Sequence, residues 1–308
     1  MRHVRMCLGS FLGLLILVCS VAGERAQAND EVDIELIMAV DVSGSVDDDE
    51  AKLLRHGHVA ALRHPQIIKA IQGGFIGKIA ATYVEWAGYG HIETIVGWQV
   101  IKDKQSAESF AARILKAPYR TAARTAISDM IMASIGSFEK NGFSGTMRVL
   151  DLAGDGANNF GIPVHAARDR AVDQGIIING IPVLSNEHDG FKYTTAQYLD
   201  AYYQKCVIGG AGSFVVVANG FADFARAIKR KMILEIALLP PAPLVRASFW
   251  PLSPVRSFSG PFSGSSLGLQ PLLHRSQIGT KAGPIIKIDP HCFIGEERWQ
   301  NRGWDDDW

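Results

Sequence analysis

Apolar and polar positions follow two different periods along the chain, and the changes of period mark the predicted elements. Residues 32–40 begin by alternating and end as a continuous apolar run, as in a central strand whose far end is buried on both faces. Residues 47–62 begin with four acidic residues, which complement a helix dipole, and then carry apolar positions on one side of a predicted helix. Strand and helix are joined by a polar loop, Asp41-Val42-Ser43-Gly44-Ser45.

Strands and helices continue to alternate until about residue 237. Residues 77–86 and 91–101 both alternate in strand fashion around a short Gly-rich connection, which predicts an antiparallel hairpin. Further strands are predicted at residues 147–153, 176–184 and 214–218, and further helices at residues 106–116, 125–139, 164–173, 195–204 and 221–235. We therefore expect an α/β fold: a doubly wound, mainly parallel six-stranded sheet with one antiparallel edge strand and helices on both faces.

The two ends of the chain differ in character from this region. Residues 1–28 combine a basic start, an apolar run and the small-residue pattern Ala26-Gln27-Ala28, which is typical of a cleaved signal peptide. We expect an exported protein, periplasmic or secreted, with no membrane span after cleavage; an uncleaved membrane anchor is the alternative. Residues 238–308 are rich in Pro, Ser, Gly and Arg without a lasting period. We expect a disordered tail there, after one domain at residues 32–237.

Charge and cysteine content narrow the possible partners and compartments. The 308 residues include 31 basic and 31 acidic side chains, so the formal net charge is zero and gives no reason to expect nucleic acid or an anionic membrane as a partner. Export would remove two of the four cysteines and leave Cys206 and Cys292. These two can pair in an oxidising compartment, or Cys206 can be a free buried thiol. The sequence leaves both alternatives open.

Three loops carry candidate ligands for a metal ion. Asp41, Ser43 and Ser45 follow the first strand, Thr125 precedes a long helix, and Asp155 follows the strand at residues 147–153. Loops at the carboxyl ends of parallel strands emerge at the same edge of a sheet, so these side chains can surround one ion. Carboxylate and hydroxyl oxygens suit a hard cation such as Mg²⁺. The alternative is an ordinary loop in which Ser45 caps the next helix.

This set of residues resembles the metal-ion-dependent adhesion site of von Willebrand factor type A domains, where an Asp-x-Ser-x-Ser loop is joined by a Thr and an Asp from two later loops. Five segments also resemble an exported, uncharacterised bacterial family, domain of unknown function 1194: residues 31–45, 125–127, 151–159, 178–182 and 202–210. The resemblance covers about residues 32–237 and implies a von Willebrand A, Rossmann-like fold. One position departs from the pattern. Arg124 stands where type A domains usually have Gly, which leaves a displaced Thr125 as an alternative.

The resemblance implies a site that holds Mg²⁺, or else Mn²⁺ or Ca²⁺, through Asp41, Ser43, Ser45, Thr125 and Asp155. Mg²⁺ keeps waters where protein ligands are few, and an Asp or Glu of a protein partner can displace one of them. We therefore expect a metal-dependent, adhesion-type protein-binding module. A metal-free structural or assembly protein of the cell envelope is the alternative.

Enzymatic functions fit the sequence less well. An Asp at the end of a first strand also begins aspartyl-phosphate phosphatases, so a metal-dependent phosphohydrolase is the enzymatic alternative. Such an enzyme needs a general acid two positions later, where this chain has Ser43. His56 and His58 lie two apart on the predicted helix and point to different faces, so we expect surface or partly buried roles for them. We expect no catalytic residue and no enzymatic activity.

Overall fold

The computed structural model describes residues 29–184, residues 198–237 and Cys292. The predicted signal peptide at residues 1–28 lies outside the described residues. The predicted tail at residues 238–308 also lies outside them, apart from Cys292.

A twisted sheet of five strands, in the order β3-β2-β1-β4-β5, forms the centre of the fold. The strands are β1 (Asp30–Asp41), β2 (Ile79–Trp86), β3 (Ile92–Ile101), β4 (Phe143–Gly154) and β5 (Ile176–Pro182). β1 pairs in parallel with both β2 and β4, and β4 pairs in parallel with β5. β3 pairs antiparallel with β2 at the edge. The predicted mainly parallel sheet with an antiparallel edge strand is therefore confirmed.

The predicted sixth strand, residues 214–218, does not form a continuous strand. It lies beside β5 and makes two isolated parallel bridges, Gly180 with Val215 and Val183 with Ala218. Pro182 lies between these bridges: its carbonyl accepts from the Ala218 N–H at 3.0 Å, but it has no N–H to donate. The ladder is interrupted at this residue. The expected count of six strands is therefore wrong for the described part of the chain.

Helices cover both faces of the sheet, as a doubly wound fold requires. They are α1 (Asp48–Leu62), α2 (Pro65–Gln72), α3 (Lys104–Lys116), α4 (Ile127–Glu139), α5 (Val164–Asp173), α6 (Leu199–Tyr202) and α7 (Phe224–Ala237), with a π-helix at Tyr203–Val207 and a 3₁₀ turn at Phe221–Asp223. The sequence did not predict α2. Its first residue is Pro65, whose fixed φ suits the first position of a helix, so the proline that limits α1 also begins α2.

Alternate residues of β1 divide between two apolar clusters, one on each face of the sheet. Leu36 and Met38 belong to the cluster that includes α1, α2, α3 and α7. Ile37 and Ala39 belong to the cluster that includes α4, α5, α6 and the π-helix. Because side chains alternate along a strand, Asp41 lies on the same face as Ile37 and Ala39.

A buried polar network fixes α7 to the sheet. The Lys231 ammonium lies 2.6 Å from Asp151 Oδ1 on β4 and also pairs with Glu235, one helical turn further along α7. Asn179 on β5 donates from Nδ2 to Glu235 Oε1 at 2.7 Å. All four side chains are buried, and burial raises the pKa of Glu235 to about 7. The network therefore positions the last helix by specific contacts as well as by apolar packing.

Cys206 in the π-helix forms a disulfide bond with Cys292. The two cysteines are 86 positions apart in sequence, their Cα atoms lie 5.4 Å apart, and both residues are buried. Of the two alternatives that the sequence left open, the structure shows the paired one. One residue of the predicted tail is thus bonded to the domain.

We expect the Cys292→Ser variant to lose about 2–5 kcal/mol of unfolding free energy, because the bond restricts the unfolded chain over a long loop. Urea denaturation with and without reductant measures this change. Reductant should lower the stability of the wild type to that of the variant and leave the variant unchanged. Equal stability of the oxidised wild type and the variant would contradict the expectation.

His58 is a fully buried histidine of α1. Its Nδ1 lies 2.9 Å from the Leu54 carbonyl, and its ring centroid lies 5.1 Å from those of Tyr83 and Phe224. The expected surface or partly buried role is therefore wrong for His58, whereas His56 is exposed. Burial, together with the charge of Lys231, lowers the pKa of His58 from 6.5 to about 4, although the hydrogen bond with the Leu54 carbonyl opposes the shift.

Because the native state disfavours protonated His58, its contribution to stability is complete above about pH 6.5 and is lost as the pH falls towards 4. We expect the His58→Gln variant to lose this part of the pH dependence between pH 7.5 and 5. Urea denaturation at both pH values measures it. The His56→Gln variant, altered at an exposed position of the same helix, should keep the wild-type slope. An unchanged slope in His58→Gln would refute the assignment.

Candidate metal centre

All five predicted ligands lie together at the carboxyl edge of the sheet. The Ser43 N–H donates to Asp41 Oδ1 at 2.8 Å, and the hydroxyls of Ser43 and Ser45 lie 3.2 Å apart. Ser45 Oγ donates to Asp155 Oδ1 at 2.7 Å. Thr125 Oγ1 donates to Ser43 Oγ at 3.3 Å. One continuous set of hydrogen bonds therefore joins side chains from three loops that are far apart in sequence.

The loop after β1 turns so that its two serine hydroxyls face the loops that carry Thr125 and Asp155. Asp41 pairs with Trp86 of β2 in the last register position of β1. The Val46 N–H then donates to the Ser43 carbonyl at 2.8 Å and closes a turn. The helix cap is Asp47, which accepts from two backbone N–H groups of the first turn of α1. Ser45 is not the cap of α1, so that alternative is wrong, and its hydroxyl points to Asp155 instead.

Thr125 keeps its place although Arg124 precedes it. Arg124 has a φ of 74°, in the left-handed region that favours glycine, so the backbone takes the conformation that Gly would take there. The Thr125 N–H donates to Asn159 Oδ1 at 2.9 Å, and the Asn159 N–H donates to the Thr125 carbonyl at 2.8 Å. Thr125 is therefore not displaced. The left-handed conformation costs about 1–3 kcal/mol in a non-glycine residue.

Two asparagines that the sequence did not single out build the loop after β4. Helix α4 has no capping side chain of its own at Ala126, and Asn158 Oδ1 accepts from the Ser128 N–H at 2.9 Å. Asn159 makes hydrogen bonds with both the N–H and the carbonyl of Thr125. The two asparagines therefore connect the loop that carries Asp155 to the loop that carries Thr125. In the sequence, these asparagines are visible only as part of a short polar run after a buried strand. Their hydrogen-bond partners lie about 30 positions earlier in the chain.

Asp41 is the least satisfied group of the site. The residue is fully buried, its Oδ1 accepts from Ser43, and its Oδ2 has no hydrogen-bond partner among the described residues. Burial raises the pKa of Asp41 well above its usual range, the charge of Asp155 raises it further, and the hydrogen bonds from Ser43 oppose the shift. A buried carboxylate in this state needs either a proton or a nearby cation.

The donor set matches a hard divalent cation. It consists of two carboxylates and three hydroxyls, all oxygen donors of the kind that Mg²⁺, Mn²⁺ and Ca²⁺ prefer. Residues 29–184 and 198–237 contain no group of three or more His, Cys, Asp and Glu side chains that could hold a metal. Hydroxyl groups would therefore have to supply part of the coordination at this site.

The sheet order and the two helical layers agree with the von Willebrand A, Rossmann-like fold expected from the sequence. Residues 31–240 match the model of the family described as "Protein of unknown function (DUF1194)", and the chain belongs to this family. The family expected from the sequence is thus confirmed. No curated protein matches the chain.

Several solved structures are similar to part of this chain at low sequence identity. The pilus adhesin SpaC from Lactobacillus rhamnosus GG is 14% identical with a TM-score of 0.50, over 68% of this chain and 31% of the adhesin. A von Willebrand factor type A structure from Catenulispora acidiphila is 14% identical with a TM-score of 0.44, over 67% and 43%. Proximal thread matrix protein 1 from the mussel byssus, in a structure with a zinc-occupied MIDAS motif, is 15% identical with a TM-score of 0.47, over 68% and 49%. The chain spans less than half of each of these proteins.

In the part of the chain that the structure describes, no helix combines the length and the apolar character needed to cross a membrane.

Proposed function

We propose that Asp41, Ser43, Ser45, Thr125 and Asp155 hold a divalent cation, Mg²⁺ or else Mn²⁺ or Ca²⁺, and that the protein uses it to bind a protein partner. The observation that carries this proposal is the buried Oδ2 of Asp41, which has no partner among the described residues. A bound cation would supply both the missing charge at Asp41 and an open coordination position for an Asp or Glu of the partner.

The charges of the site support a divalent cation. Asp41 and Asp155 are close enough for the charge of Asp155 to raise the pKa of Asp41, so two ionised carboxylates at this edge repel each other. The three hydroxyls are neutral and can rotate to turn lone pairs towards a cation. Two negative charges and three neutral oxygens balance a charge of two and leave coordination positions for water or a ligand.

The partner would reach the site from one side. Asp41, Ser43 and Thr125 are buried, whereas Ser45 and Asp155 are half-buried and Gly44 is exposed. Beside this opening, Arg124 donates from Nε to the hydroxyl of Tyr89 at 3.2 Å, and the Tyr89 side chain is 63% exposed. A fixed positive charge at the rim favours a partner that presents an acidic residue.

We also propose that the protein acts outside the cytoplasm, in the periplasm or as a secreted protein. The bond between Cys206 and Cys292 supports this location, because disulfides form and persist in oxidising compartments. The signal-peptide pattern at residues 1–28 points to the same location.

A metal-free structural or assembly protein of the envelope remains the second candidate. The observation in its favour is that four of the side chains hydrogen-bond to one another and the fifth, Asp41, accepts from the Ser43 N–H, so protein contacts alone give the site its shape. Metal binding and metal-dependent partner binding separate the two candidates.

We expect the wild type to bind Mg²⁺ or Mn²⁺ in titration calorimetry and the Asp41→Asn variant to bind it about 100-fold more weakly or not at all. Asp33→Asn is the matched control. Asp33 is a buried aspartate at the opposite end of β1, where it accepts from the Ile76 and Gly77 N–H groups. Its substitution should leave the affinity unchanged. Equal affinity in the wild type and Asp41→Asn would exclude Asp41 as a ligand.

We expect a partner from an envelope extract to be retained on immobilised protein in Mg²⁺ and to be released by EDTA. The Asp41→Asn variant should fail to retain it, because the partner's carboxylate would have no cation to bind. Asp33→Asn should retain it as the wild type does. A partner retained equally by all three proteins, with and without EDTA, would support the metal-free candidate instead.

A further inference from the structure

A second buried and unsatisfied polar group lies beside Asp41. The Tyr203 side chain is fully buried, and its hydroxyl has no hydrogen-bond partner among the described residues. A Cβ atom on Gly154 would lie 2.8 Å from this hydroxyl and 2.9 Å from Asp41 Oδ2. Two groups without partners therefore lie beside the same residue, Gly154, which directly precedes Asp155. A buried hydroxyl and a buried carboxylate oxygen are a matched donor and acceptor.

The fold makes room for Tyr203 at two glycines. At Gly154 a side chain would collide with both the Tyr203 hydroxyl and Asp41. At Gly180 on β5 a Cβ would lie 2.6 Å from Tyr203 Cδ1. Neither glycine has a positive φ, so backbone conformation does not require them. The two glycines are needed because a side chain at either position would collide with Tyr203. The tyrosine ring can therefore reach Asp41 only because both residues lack a side chain.

The backbone around Tyr203 is also unusual. It begins the π-helix, in which the Ile208 N–H donates to the Tyr203 carbonyl at 3.0 Å, and single π turns are frequent at functional sites. The same turn contains Cys206, which is bonded to Cys292, and Arg168 donates to the carbonyls of Lys205 and Cys206. The disulfide bond and the Arg168 side chain therefore both hold this turn, from which the Tyr203 ring extends.

We propose that Tyr203 is a positioning residue of the metal centre: the two groups are not hydrogen-bonded to each other in the structure, and with the cation bound the Tyr203 hydroxyl would donate to Asp41 Oδ2 and orient this carboxylate. This inference rests on the proposed function, because it assumes that Asp41 takes part in metal binding. A tyrosine hydroxyl carries a proton that it can donate, whereas a carboxylate oxygen can only accept. Neighbours of this kind orient ligands and strengthen metal binding.

The test is the Mg²⁺ affinity of the Tyr203→Phe variant, measured by titration calorimetry on the full-length oxidised protein. The substitution removes one oxygen and keeps the ring, so the fold should be retained. We expect the affinity to fall about 10-fold or more. We expect the stability without metal to stay the same or to rise, because the hydroxyl lost is a buried group without a partner. A purely structural tyrosine would show no change of affinity.

Tyr83→Phe is the matched control. Tyr83 is also fully buried, and its hydroxyl also has no partner among the described residues, but it lies on β2 in the other apolar cluster. Its substitution should leave the Mg²⁺ affinity at the wild-type value. A loss equal to that of Tyr203→Phe would overturn the proposal, because the effect would then be general to buried hydroxyls.

Gly180→Ala tests the same contact without altering any proposed ligand. The added methyl group should displace the Tyr203 ring and weaken Mg²⁺ binding, and this effect should disappear in the Tyr203→Phe background. Additive losses in the double variant would overturn the proposal.

Wild-type protein that binds no Mg²⁺ or Mn²⁺ would refute the proposed function itself. A wild type that binds metal, together with an unchanged Tyr203→Phe, would refute only the role of Tyr203.

Discussion

Parallel pairing of β1 with β4 is the constraint that brings two of the three loops of the candidate site together. Because β2, β1 and β4 run in the same direction, their carboxyl ends meet at one edge, and the segments that follow β1 and β4 emerge side by side. Antiparallel pairing of β1 with β4 would send one of these two loops to the opposite edge. The pairing itself depends on β1 being buried on both faces, with alternate residues in two separate apolar clusters.

A buried carboxylate at the end of such a strand lowers the stability of the fold unless a positive charge or a proton balances it. Asp41 receives one hydrogen bond from the backbone of its own loop, and the neighbouring Asp155 adds repulsion instead of relief. Around it, the hydroxyls of Ser43, Ser45 and Thr125 are joined to one another and to Asp155 by hydrogen bonds. The two asparagines of the later loop bond to the backbone at Thr125 and Ser128. Hydrogen bonds therefore hold the loops of the site together, but the negative charge of Asp41 has no positive partner among the described residues. A bound cation would supply that charge.

The parts of this arrangement that could be predicted from the sequence are those with a local signal. Asp41, Ser43 and Ser45 follow an apolar run, and the parallel pairing of β1 with β4 brings Asp155 towards them. The loop that carries Thr125 meets the first loop at the bridge between Ser43 and Ala122. The roles of Asn158 and Tyr203 could not be predicted, because they depend on contacts made across the sheet or between loops. The gap at Pro182 and the start of α2 at Pro65 were missed for a similar reason: a proline limits hydrogen bonding, but only the surrounding fold shows whether it interrupts an element or begins one.

The bond between Cys206 and Cys292 has a consequence for the topology of the molecule. It closes a covalent ring that contains the edge segment at residues 214–218 and the whole of α7. A protease that cuts the backbone once anywhere between these cysteines produces two chain ends but not two molecules. Both pieces separate only after reduction. In an oxidising environment rich in proteases, the domain would thus keep its last helix and its distal residues through a cleavage that would otherwise release them.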